Sequence, residues 1–318
     1  MQTDIVKSIL SPNYIKDIIL NNYDIGIVKS IFLIKSGLND IYMINTQNSQ
    51  FIFKIYDKSK EINNITFENE YMLFLKQYNL SSYPIKNKQK KFIILIKYPE
   101  GKKFAVLMTY VPYNDFSYYK NNNEAYLYGK YLAKLHKKSK QFSSKYNIQI
   151  NVNQLLLKSS KSIIDFLSQI QSVHLDFLNK LVFLLQNNLK ISNLEKGYIH
   201  GDAHGGNAKY YKNKVTFFDF EFSGYGYYLY DIATFKWGCL IGKRKNDFSK
   251  FIQGYLEIQS IDNYDKILLY QFIAIRHLFV MSLDINRFNT LGYEIIGENY
   301  MNKRIKLLKY INKKLMEV

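Results

Sequence analysis

Cysteine is almost absent from this sequence of 318 residues, which contains only Cys239. A single cysteine excludes a disulfide within the chain and any metal site built from several thiolates, and it agrees with a reducing compartment. Long hydrophobic runs are also missing, because the most apolar stretch, Gln271 to Leu283, is interrupted by Arg276 and His277 well short of the ~18 residues of a membrane span. The first residues include Asp4 and lack the apolar core of a secretory signal. The sequence therefore predicts a soluble, cytoplasmic protein without a membrane partner.

Acidic residues are few relative to basic ones, with 26 Asp and Glu against 44 Lys and Arg, and the net charge is +18. Such a charge is compatible with nucleic acid, an anionic surface or a polyanionic ligand. The lysines occur in short runs, such as 86–91, 137–140 and 243–245. No zinc-finger spacing and no RNP-type aromatic motif accompanies them. We therefore favour a solvated lysine-rich surface and keep nucleic-acid binding as the less favoured alternative.

The order of predicted elements divides the chain into two parts. Short segments rich in Ile, Phe and Tyr, separated by turn residues, predict strands, whereas apolar residues at helical spacing predict helices. The predicted strands are 28–35, 41–46, 50–56, 92–97 and 105–111, with one helix at 65–78 among them and another at 11–20 before them. Beyond Pro112, helices are predicted at 125–138, 153–170, 174–189, 230–240, 248–259, 266–286 and 297–316, with a strand-like segment at 196–222.

This order predicts an α+β protein with two lobes. The N-terminal lobe, residues 1–108, contains a five-stranded antiparallel sheet and a helix. A hinge at 109–113 connects it to a larger, mostly helical C-terminal lobe, residues 114–318.

The most informative segment for function is Tyr198–Asp231. It contains Asp202 and Asn207 in one loop, followed by a hydrophobic strand that ends at Asp219. Phosphoryl transfer requires a carboxylate to position the attacking hydroxyl and oxygen ligands for magnesium. Asp202 suits the first role, and Asn207 with Asp219 suits the second. Each of these residues alone would be an ordinary turn or strand-end residue, but their order and spacing indicate a site.

The strings HGDAHGGN, FFDFE and YDIATF resemble the motifs of the aminoglycoside phosphotransferase and choline kinase superfamily, which has a protein-kinase-like fold. The resemblance is closest to the bacterial homoserine-kinase-like and spore-coat-associated kinases. It implies that ATP and Mg²⁺ are cofactors and that a small hydroxyl-bearing molecule is the phosphoryl acceptor. It also implies that Asp202 is the catalytic base, that Asn207 and Asp219 hold magnesium, and that Asp231 anchors the catalytic loop.

Further nucleotide-binding residues follow from the same resemblance. Lys54, in the strand FIFKIY, corresponds to the lysine that contacts the ATP phosphates; the alternative is an exposed strand lysine. Glu70 is predicted to pair with Lys54, and Glu68 is its rival. The turn 36–40 lacks a full G-x-G-x-x-G pattern, so phosphate contacts from Ser36 and Asn39 compete with a plain hairpin turn. Adenine contacts are expected from the backbone of the hinge region, at Met108, Thr109 and Val111, although Met108 could equally be a core residue.

The acceptor is less well defined by the sequence. Between Gly254 and Tyr300, acidic residues outnumber basic ones six to three: Glu257, Asp262, Asp265, Asp284, Glu294 and Glu298 against Lys266, Arg276 and Arg287. Local negative charge suits a cationic acceptor such as an amino alcohol or an aminoglycoside, but a mixed helix surface is equally compatible. Arg276 is predicted either to bind an anionic group of the acceptor, which would suit a hydroxy amino acid, or to pair with a buried acid. Glu221 is a further candidate at the substrate or metal.

Two other functional classes remain open at this stage. A pseudokinase or nucleotide-binding scaffold would explain the incomplete glycine pattern, although Asp202, Asn207 and Asp219 are all present. A basic nucleic-acid-binding protein would explain the charge and predicts salt-dependent affinity. A kinase acting on a protein substrate is an alternative within the enzyme class. The sequence does not determine the oligomeric state.

Overall fold

The computed structural model describes residues 5, 7–112, 114–115, 122–244, 247–261, 265–291 and 298–317. The chain forms two compact units. The first comprises Met1–Asp115, Phe142–Tyr146 and Lys209–Glu221, and the second comprises Phe116–Gln141, Asn147–Ala208 and Phe222–Val318. Each unit is described separately below.

The first unit is built on a five-stranded antiparallel sheet. Its strands are β1 (Val28–Ser36), β2 (Asp40–Thr46), β3 (Gln50–Ile55), β4 (Ile93–Tyr98) and β5 (Gly101–Thr109), in the order β1-β2-β3-β5-β4. Each predicted strand is present. The last begins four residues earlier than predicted because β4 and β5 form a tight hairpin in which Tyr98 pairs with Gly101. This sheet places Lys54 in its central strand, β3, which pairs with β2 on one side and β5 on the other.

Two helices accompany the sheet. Helix α1 (Pro12–Asn22) begins as predicted, with the Ser11 side chain accepting a hydrogen bond from the Tyr14 amide, and it buries Ile15 and Ile19 against the apolar residues of the sheet. Helix α2 (Ile62–Lys76) follows β3 and buries seven side chains, among them Glu68 and Asn69. The short strands β6 (Asn114–Asp115), β8 (Ala208–Tyr211) and β9 (Lys214–Phe217) form a three-stranded sheet that leads to Asp219.

The second unit is mostly helical. Its described helices are α3 (Asn122–Ser139), α4 (Val152–Gln169), α5 (Leu175–Asn188), α6 (Tyr228–Ile241), α7 (Asp247–Leu256), α8 (Lys266–Leu291) and α9 (Glu298–Met316). Strands β7 (Lys196–Ile199) and β10 (Gly224–Tyr227) pair antiparallel and flank the loop that contains Asp202. The predicted α+β class, with a five-stranded sheet and a larger helical part, is confirmed.

Helices α3 and α7 approach each other so closely that only glycine fits at their contact. A Cβ atom on Gly129 would lie 1.9 Å from the carbonyl oxygen of Phe251, and one on Gly254 would lie 1.9 Å from that of Tyr126. This packing positions His136 near the end of α3. One segment of α8, Lys266–Arg287, is long and apolar enough to cross a membrane, but 72% of its most apolar window is buried, as in the core helix of a soluble protein.

Candidate active site

The loop that contains Asp202 is held in place by a buried carboxylate. Asp231, in the first turn of α6, accepts hydrogen bonds from the backbone amides of His200 and Gly201, both at 2.8 Å. Gly201 has a φ of +77°, and a Cβ atom there would lie 1.9 Å from the carbonyl oxygen of Phe222. The glycine before Asp202 is therefore required by the backbone.

A histidine completes the support beneath this loop. His136 Nε2 lies 3.0 Å from the Asp231 carboxylate, and its Nδ1 lies 2.7 Å from the Tyr255 hydroxyl. Because the carboxylate can only accept, Nε2–H donates to Asp231, and Nδ1 shares a hydrogen bond with the Tyr255 hydroxyl. His136 and Asp231 are both fully buried. These contacts agree with the anchoring role that the resemblance implies for Asp231.

Asp202 is surrounded by hydrogen-bond donors within the second unit. Its Oδ2 accepts a 2.8 Å hydrogen bond from Asn207 Nδ2 and lies 3.6 Å from His204 Nε2. Its Oδ1 contacts the guanidinium group of Arg276, on α8. The Asn207 Nδ2 group also donates to the Asp202 carbonyl oxygen at 3.1 Å. These contacts fix the orientation of the carboxylate.

The same donors determine the ionisation of Asp202, which is 9% exposed. Burial alone would raise its pKa, but the positive charge of Arg276 and the contacts of His204 and His200 together lower the pKa below its ordinary value. Asp202 is therefore a carboxylate at neutral pH. An ionised carboxylate accepts hydrogen bonds only, so it can orient a hydroxyl group that donates to it.

Arg276 is buried, with 3% of its surface exposed. Its guanidinium carbon lies 5.1 Å from the Trp237 ring centre and 5.7 Å from that of Phe279. Of the two roles predicted for Arg276, the structure therefore shows the pairing with a buried acid, and that acid is Asp202. A direct contact between Arg276 and an acceptor remains a prediction.

A second group of charged side chains predicted to be functional lies around Lys54 in the first unit. Its Nζ is 2.8 Å from the Asp219 carboxylate, 3.2 Å from that of Glu68 and 3.2 Å from that of Glu221. Lys54 is 3% exposed, so the alternative of an exposed strand lysine is wrong. Burial would lower its pKa, but the three carboxylates, led by Asp219, hold the pKa well above its ordinary value.

The partner of Lys54 on α2 is Glu68, and the prediction that Glu70 pairs with Lys54 is wrong. Glu68 is 1% exposed and also accepts a 3.0 Å hydrogen bond from the Tyr56 hydroxyl. Its burial raises its pKa, an effect that Lys54 opposes. Glu70 instead accepts a 2.7 Å hydrogen bond from the Ser144 hydroxyl.

Two of the three carboxylates around Lys54, those of Asp219 and Glu221, lie on one short segment of the chain. Asp219 adopts a φ of +62°, in the left-handed region that Asp tolerates better than most residues, and its side chain is 44% exposed. The Glu221 carboxylate lies 3.5 Å from Lys60 Nζ and accepts a hydrogen bond from the side-chain Nδ2 group of Asn39. Three carboxylates thus face Lys54, with Lys60 as a second cation at Glu221.

The predicted phosphate turn is internally bonded in the structure. Asn39 Oδ1 accepts a hydrogen bond from the Asp57 amide at 3.0 Å, and the Ser36 hydroxyl donates to Asp40 at 2.7 Å. Ser36 pairs with Asp40 across the turn between β1 and β2. Contacts of Ser36 and Asn39 with phosphate remain predictions, but the structure does place Asn39 beside the Lys54 cluster.

The residues predicted to contact adenine lie at the end of β5 and just beyond it. Met108 is 5% exposed and Val111 is 8% exposed. The Thr109 amide donates to the Tyr83 carbonyl oxygen at 3.0 Å, so this backbone donor already has a partner. Thr109 and Val111 line an open cavity of about 920 Å³ in the first unit, whose lining residues include neither Lys54 nor Asp219. Adenine binding by these three residues remains a prediction.

Of the six acidic residues predicted near the acceptor, two are paired with bases in the described part of the chain, and Asp265 accepts a hydrogen bond from the Leu268 amide. Glu257 lies 2.7 Å from Lys130, and Asp284 lies 2.9 Å from Arg304. Asp262 and Glu294 lie outside the described residues, as does the side chain of Glu298. Where it is described, the local excess of negative charge is therefore reduced by bases from other helices, as expected for a mixed helix surface.

The oxygen donors available to a divalent cation fit magnesium chemically. Because Asn207 uses its Nδ2 group on Asp202, its oxygen is the atom that can ligate a cation, and the partly exposed Asp219 offers a carboxylate. In the described part of the chain, no group of three or more His, Cys, Asp or Glu side chains is arranged to hold a metal ion. Magnesium is usually bound by one or two protein oxygens together with substrate phosphates, so each unit offers an oxygen of the type that magnesium uses, and binding of the cation by Asn207 and Asp219 remains a prediction.

Comparison with known proteins identifies the family. The model of the phosphotransferase enzyme family matches residues 33–268, and the chain belongs to this family. An uncharacterised protein of Synechocystis is 23% identical over 314 residues, covering 96% of this chain and 87% of the relative.

Solved structures of small-molecule kinases share the fold. Amicoumacin kinase hAmiN, in complex with AMP-PNP, Ca²⁺ and Ami, has a TM-score of 0.75 at 20% identity, covering 95% of this chain and 93% of that chain. Choline kinase LicA from Streptococcus pneumoniae has a TM-score of 0.67 at 15% identity, covering 96% and 99%. The predicted superfamily and its kinase-like fold are confirmed.

Proposed function

We propose that the protein is an ATP-dependent kinase that transfers the γ-phosphoryl group to a hydroxyl group of a small molecule. The observation that carries this proposal is the arrangement around Asp202, an ionised and oriented carboxylate in a loop fixed by Asp231. Membership of the phosphotransferase family supports the reaction class. The intact set Asp202, Asn207 and Asp219 argues against a nucleotide-binding scaffold.

In this proposal each side chain has one task. Asp202 would accept the hydrogen bond of the acceptor hydroxyl, orient its oxygen and take up its proton as the new oxygen–phosphorus bond forms and the bond from the γ-phosphorus to the departing ADP breaks. Lys54, held by Glu68, offsets negative charge on the phosphates. Asn207 and Asp219 provide the oxygen ligands for the cation. When bound, magnesium and ATP supply the transferable phosphoryl group and the positive charge that stabilises it.

The acceptor we propose is a small alcohol that carries an amine: an amino alcohol, a hydroxy amino acid or an aminoglycoside. Choline kinase LicA shares the fold, and its name states that it phosphorylates choline, a cationic alcohol. Within the described part of the chain, the acids Glu257 and Asp284 are paired with bases, so charge alone does not select among the three classes. A panel of acceptors is therefore required.

The direct test is release of ADP from Mg·ATP in the presence of a panel of alcohols, comparing the wild type with Asp202→Asn. The panel includes choline, ethanolamine, homoserine, serine, threonine, aminoglycosides and simple sugars. We expect ADP release that depends on one acceptor class and falls about 10²- to 10⁴-fold in Asp202→Asn, the usual contribution of a positioned acid or base. If ADP release is equal in both proteins, Asp202 is not catalytic. If Mg·ATP binds but no acceptor is phosphorylated, the scaffold interpretation gains.

A second test uses two glutamates of α2 as a matched pair. Glu68→Gln removes a buried carboxylate from Lys54, whereas Glu70→Gln changes a residue bonded to Ser144. We expect Mg·ATP to raise the melting temperature of Glu68→Gln less than that of the wild type, because Lys54 loses the partner that orients it. Glu70→Gln should respond to Mg·ATP as the wild type does. Equal responses of the two variants would contradict the role proposed for Lys54.

A further inference from the structure

The segment 7–10, which precedes α1, is fastened to the sheet of the first unit. The Leu10 side chain packs against the apolar core of that unit, and its carbonyl oxygen accepts a 2.6 Å hydrogen bond from the hydroxyl of the buried Tyr42. Ser8 donates twice to the Glu100 carboxylate, from its amide at 3.0 Å and from its hydroxyl at 2.6 Å. Glu100 lies in the turn between β4 and β5. The segment is therefore fixed to the sheet at two points.

Lys7, at the start of this segment, is bound to the turn between β1 and β2. Its Nζ lies 3.0 Å from the Asp40 carboxylate and donates a 2.8 Å hydrogen bond to the Gly37 carbonyl oxygen. Asp40 is 2% exposed, and the Ser36 hydroxyl donates to the same carboxylate oxygen at 2.7 Å. A buried carboxylate is unfavourable unless a positive charge accompanies it. Lys7 is therefore held at the turn by charge as well as by its hydrogen bond.

The contact with Gly37 determines the direction of the next backbone amide. In a planar trans peptide the carbonyl and the following N–H point in opposite directions, so holding the Gly37 oxygen also holds the Leu38 N–H. The next residue, Asn39, donates from its side chain to Glu221, whose carboxylate lies 3.2 Å from Lys54 Nζ. The turn is thus bonded both to the N-terminal segment and to the Lys54 cluster.

Order in this turn matters for the binding of phosphate. Backbone amides of a turn that contains glycine are common donors to phosphate groups, but residues 36–40 include only one glycine, Gly37. A donor amide that is disordered in the free protein has to be ordered when the phosphate binds, and this lowers the affinity. The contacts of Lys7 are made within the protein alone, so they order the turn before a ligand arrives.

We propose that Lys7 is a positioning residue for the nucleotide, which orders the turn 36–40 so that its backbone amides meet the phosphates of ATP. Lys7 acts through Asp40 and Gly37 rather than by contact with the nucleotide. This inference rests on the proposed kinase function. It gives the N-terminal segment a role in nucleotide binding, and it accounts for a phosphate turn that functions with a single glycine.

The test combines hydrogen exchange of the free protein with calorimetric titration by Mg·AMP-PNP and by adenosine, which lacks phosphate. Lys7→Met removes the contacts, and Lys7→Arg keeps a charged donor. The double variant Lys7→Met/Asp40→Asn also removes the buried charge that Lys7→Met leaves without its base, which protects the fold. Lys16→Met, at an exposed position of α1, is the matched control because it removes the same charge from the same unit.

We expect faster amide exchange at 36–40 in Lys7→Met and an affinity for Mg·AMP-PNP that is about fivefold lower, the factor expected when one further backbone residue must be ordered on binding. The double variant should bind as weakly, and Lys7→Arg should recover most of the affinity. Lys16→Met should behave as the wild type does. Affinity for adenosine should stay unchanged in Lys7→Met, whereas a general disturbance of the fold would lower both affinities.

The inference alone is overturned if the wild type binds Mg·AMP-PNP and Lys7→Met binds it equally well. It is also overturned if the turn exchanges at the same rate in both proteins, or if adenosine affinity falls by the same factor as that for Mg·AMP-PNP. A wild type that does not bind Mg·AMP-PNP would refute the proposed function, and this inference with it.

Discussion

Replacing Asp231 by asparagine tests how the loop that contains Asp202 is held. The carboxylate is fully buried and accepts three hydrogen bonds: Oδ1 from the Gly201 amide, and Oδ2 from the His200 amide and from His136. Asparagine has nearly the same shape but retains only one acceptor oxygen. If that oxygen takes the Oδ2 position, the new NH₂ group faces the Gly201 amide, and a donor is left against a donor. In the opposite orientation, two donors lose their acceptor.

The magnitude follows from the more favourable orientation. One buried amide is left unpaired, which costs about 1–3 kcal/mol, and two charge-assisted hydrogen bonds become neutral ones, each weaker by about 1 kcal/mol. Removing the buried charge returns part of this, so we expect a loss of about 3 kcal/mol in the free energy of unfolding. For a chain of 318 residues the melting temperature should fall by about 5 °C.

The assay is thermal and urea unfolding followed by circular dichroism, with Asp176→Asn as the control. Asp176 has a side chain that is 77% exposed and pairs with Lys180 at 2.7 Å. Its replacement should change the free energy of unfolding by no more than about 0.5 kcal/mol. The lost hydrogen bonds of Asp231→Asn should lower the free energy of unfolding by roughly 3 kcal/mol. If the measured loss is instead below about 1 kcal/mol, the loop is not held by this carboxylate.

Two further predictions concern the helical unit. Gly129→Ala places a methyl group against the Phe251 carbonyl oxygen, forces α3 and α7 apart and should lower the free energy of unfolding by about 3 kcal/mol or more. The control is Gly238→Ala, whose new methyl group meets only His204 Cβ at 3.8 Å, and which should be neutral or stabilising by up to about 1 kcal/mol. Equal urea midpoints for the two variants would contradict the packing argument. Burial and the charge of Arg304 lower the pKa of His277 to about 3. Since the unfolded chain takes up this proton near pH 6.5 and the folded chain does not, stability should fall by up to about 1.4 kcal/mol per pH unit as the pH drops from 6.5 towards 3. Urea unfolding between pH 8 and pH 5 measures this fall, which should be smaller in His277→Gln; an equal fall in both proteins would refute the assignment.

The sequence predicted the order of the helices and strands well because most of them are amphipathic. Helices α1 (Pro12–Asn22) and α9 (Glu298–Met316) each start within one residue of their predicted starts at 11 and 297. Helix α8 runs five residues beyond its predicted end at Asn286. Its interior is apolar on nearly all sides, so periodicity gives no signal for where it stops.

The site was predicted less completely, for reasons of geometry. Residues two apart on a helix point about 200° from each other, so Glu68 and Glu70 cannot both face Lys54. The family pattern favoured Glu70, whereas the structure pairs Lys54 with Glu68. The contact between Arg276 and Asp202 joins residues 74 positions apart. No local pattern reports such a pairing, and a buried arginine in an apolar helix was the only signal that an acid lies nearby.

The backbone at Asp219 has a consequence for mutational tolerance. Its φ of +62° favours glycine, asparagine and aspartate, whereas the charge of Lys54, 2.8 Å away, requires a carboxylate. Glutamate meets the second requirement but not the first, and asparagine meets the first but not the second. Aspartate satisfies both requirements. A substitution at this position should therefore either strain the backbone or remove the carboxylate that pairs with Lys54.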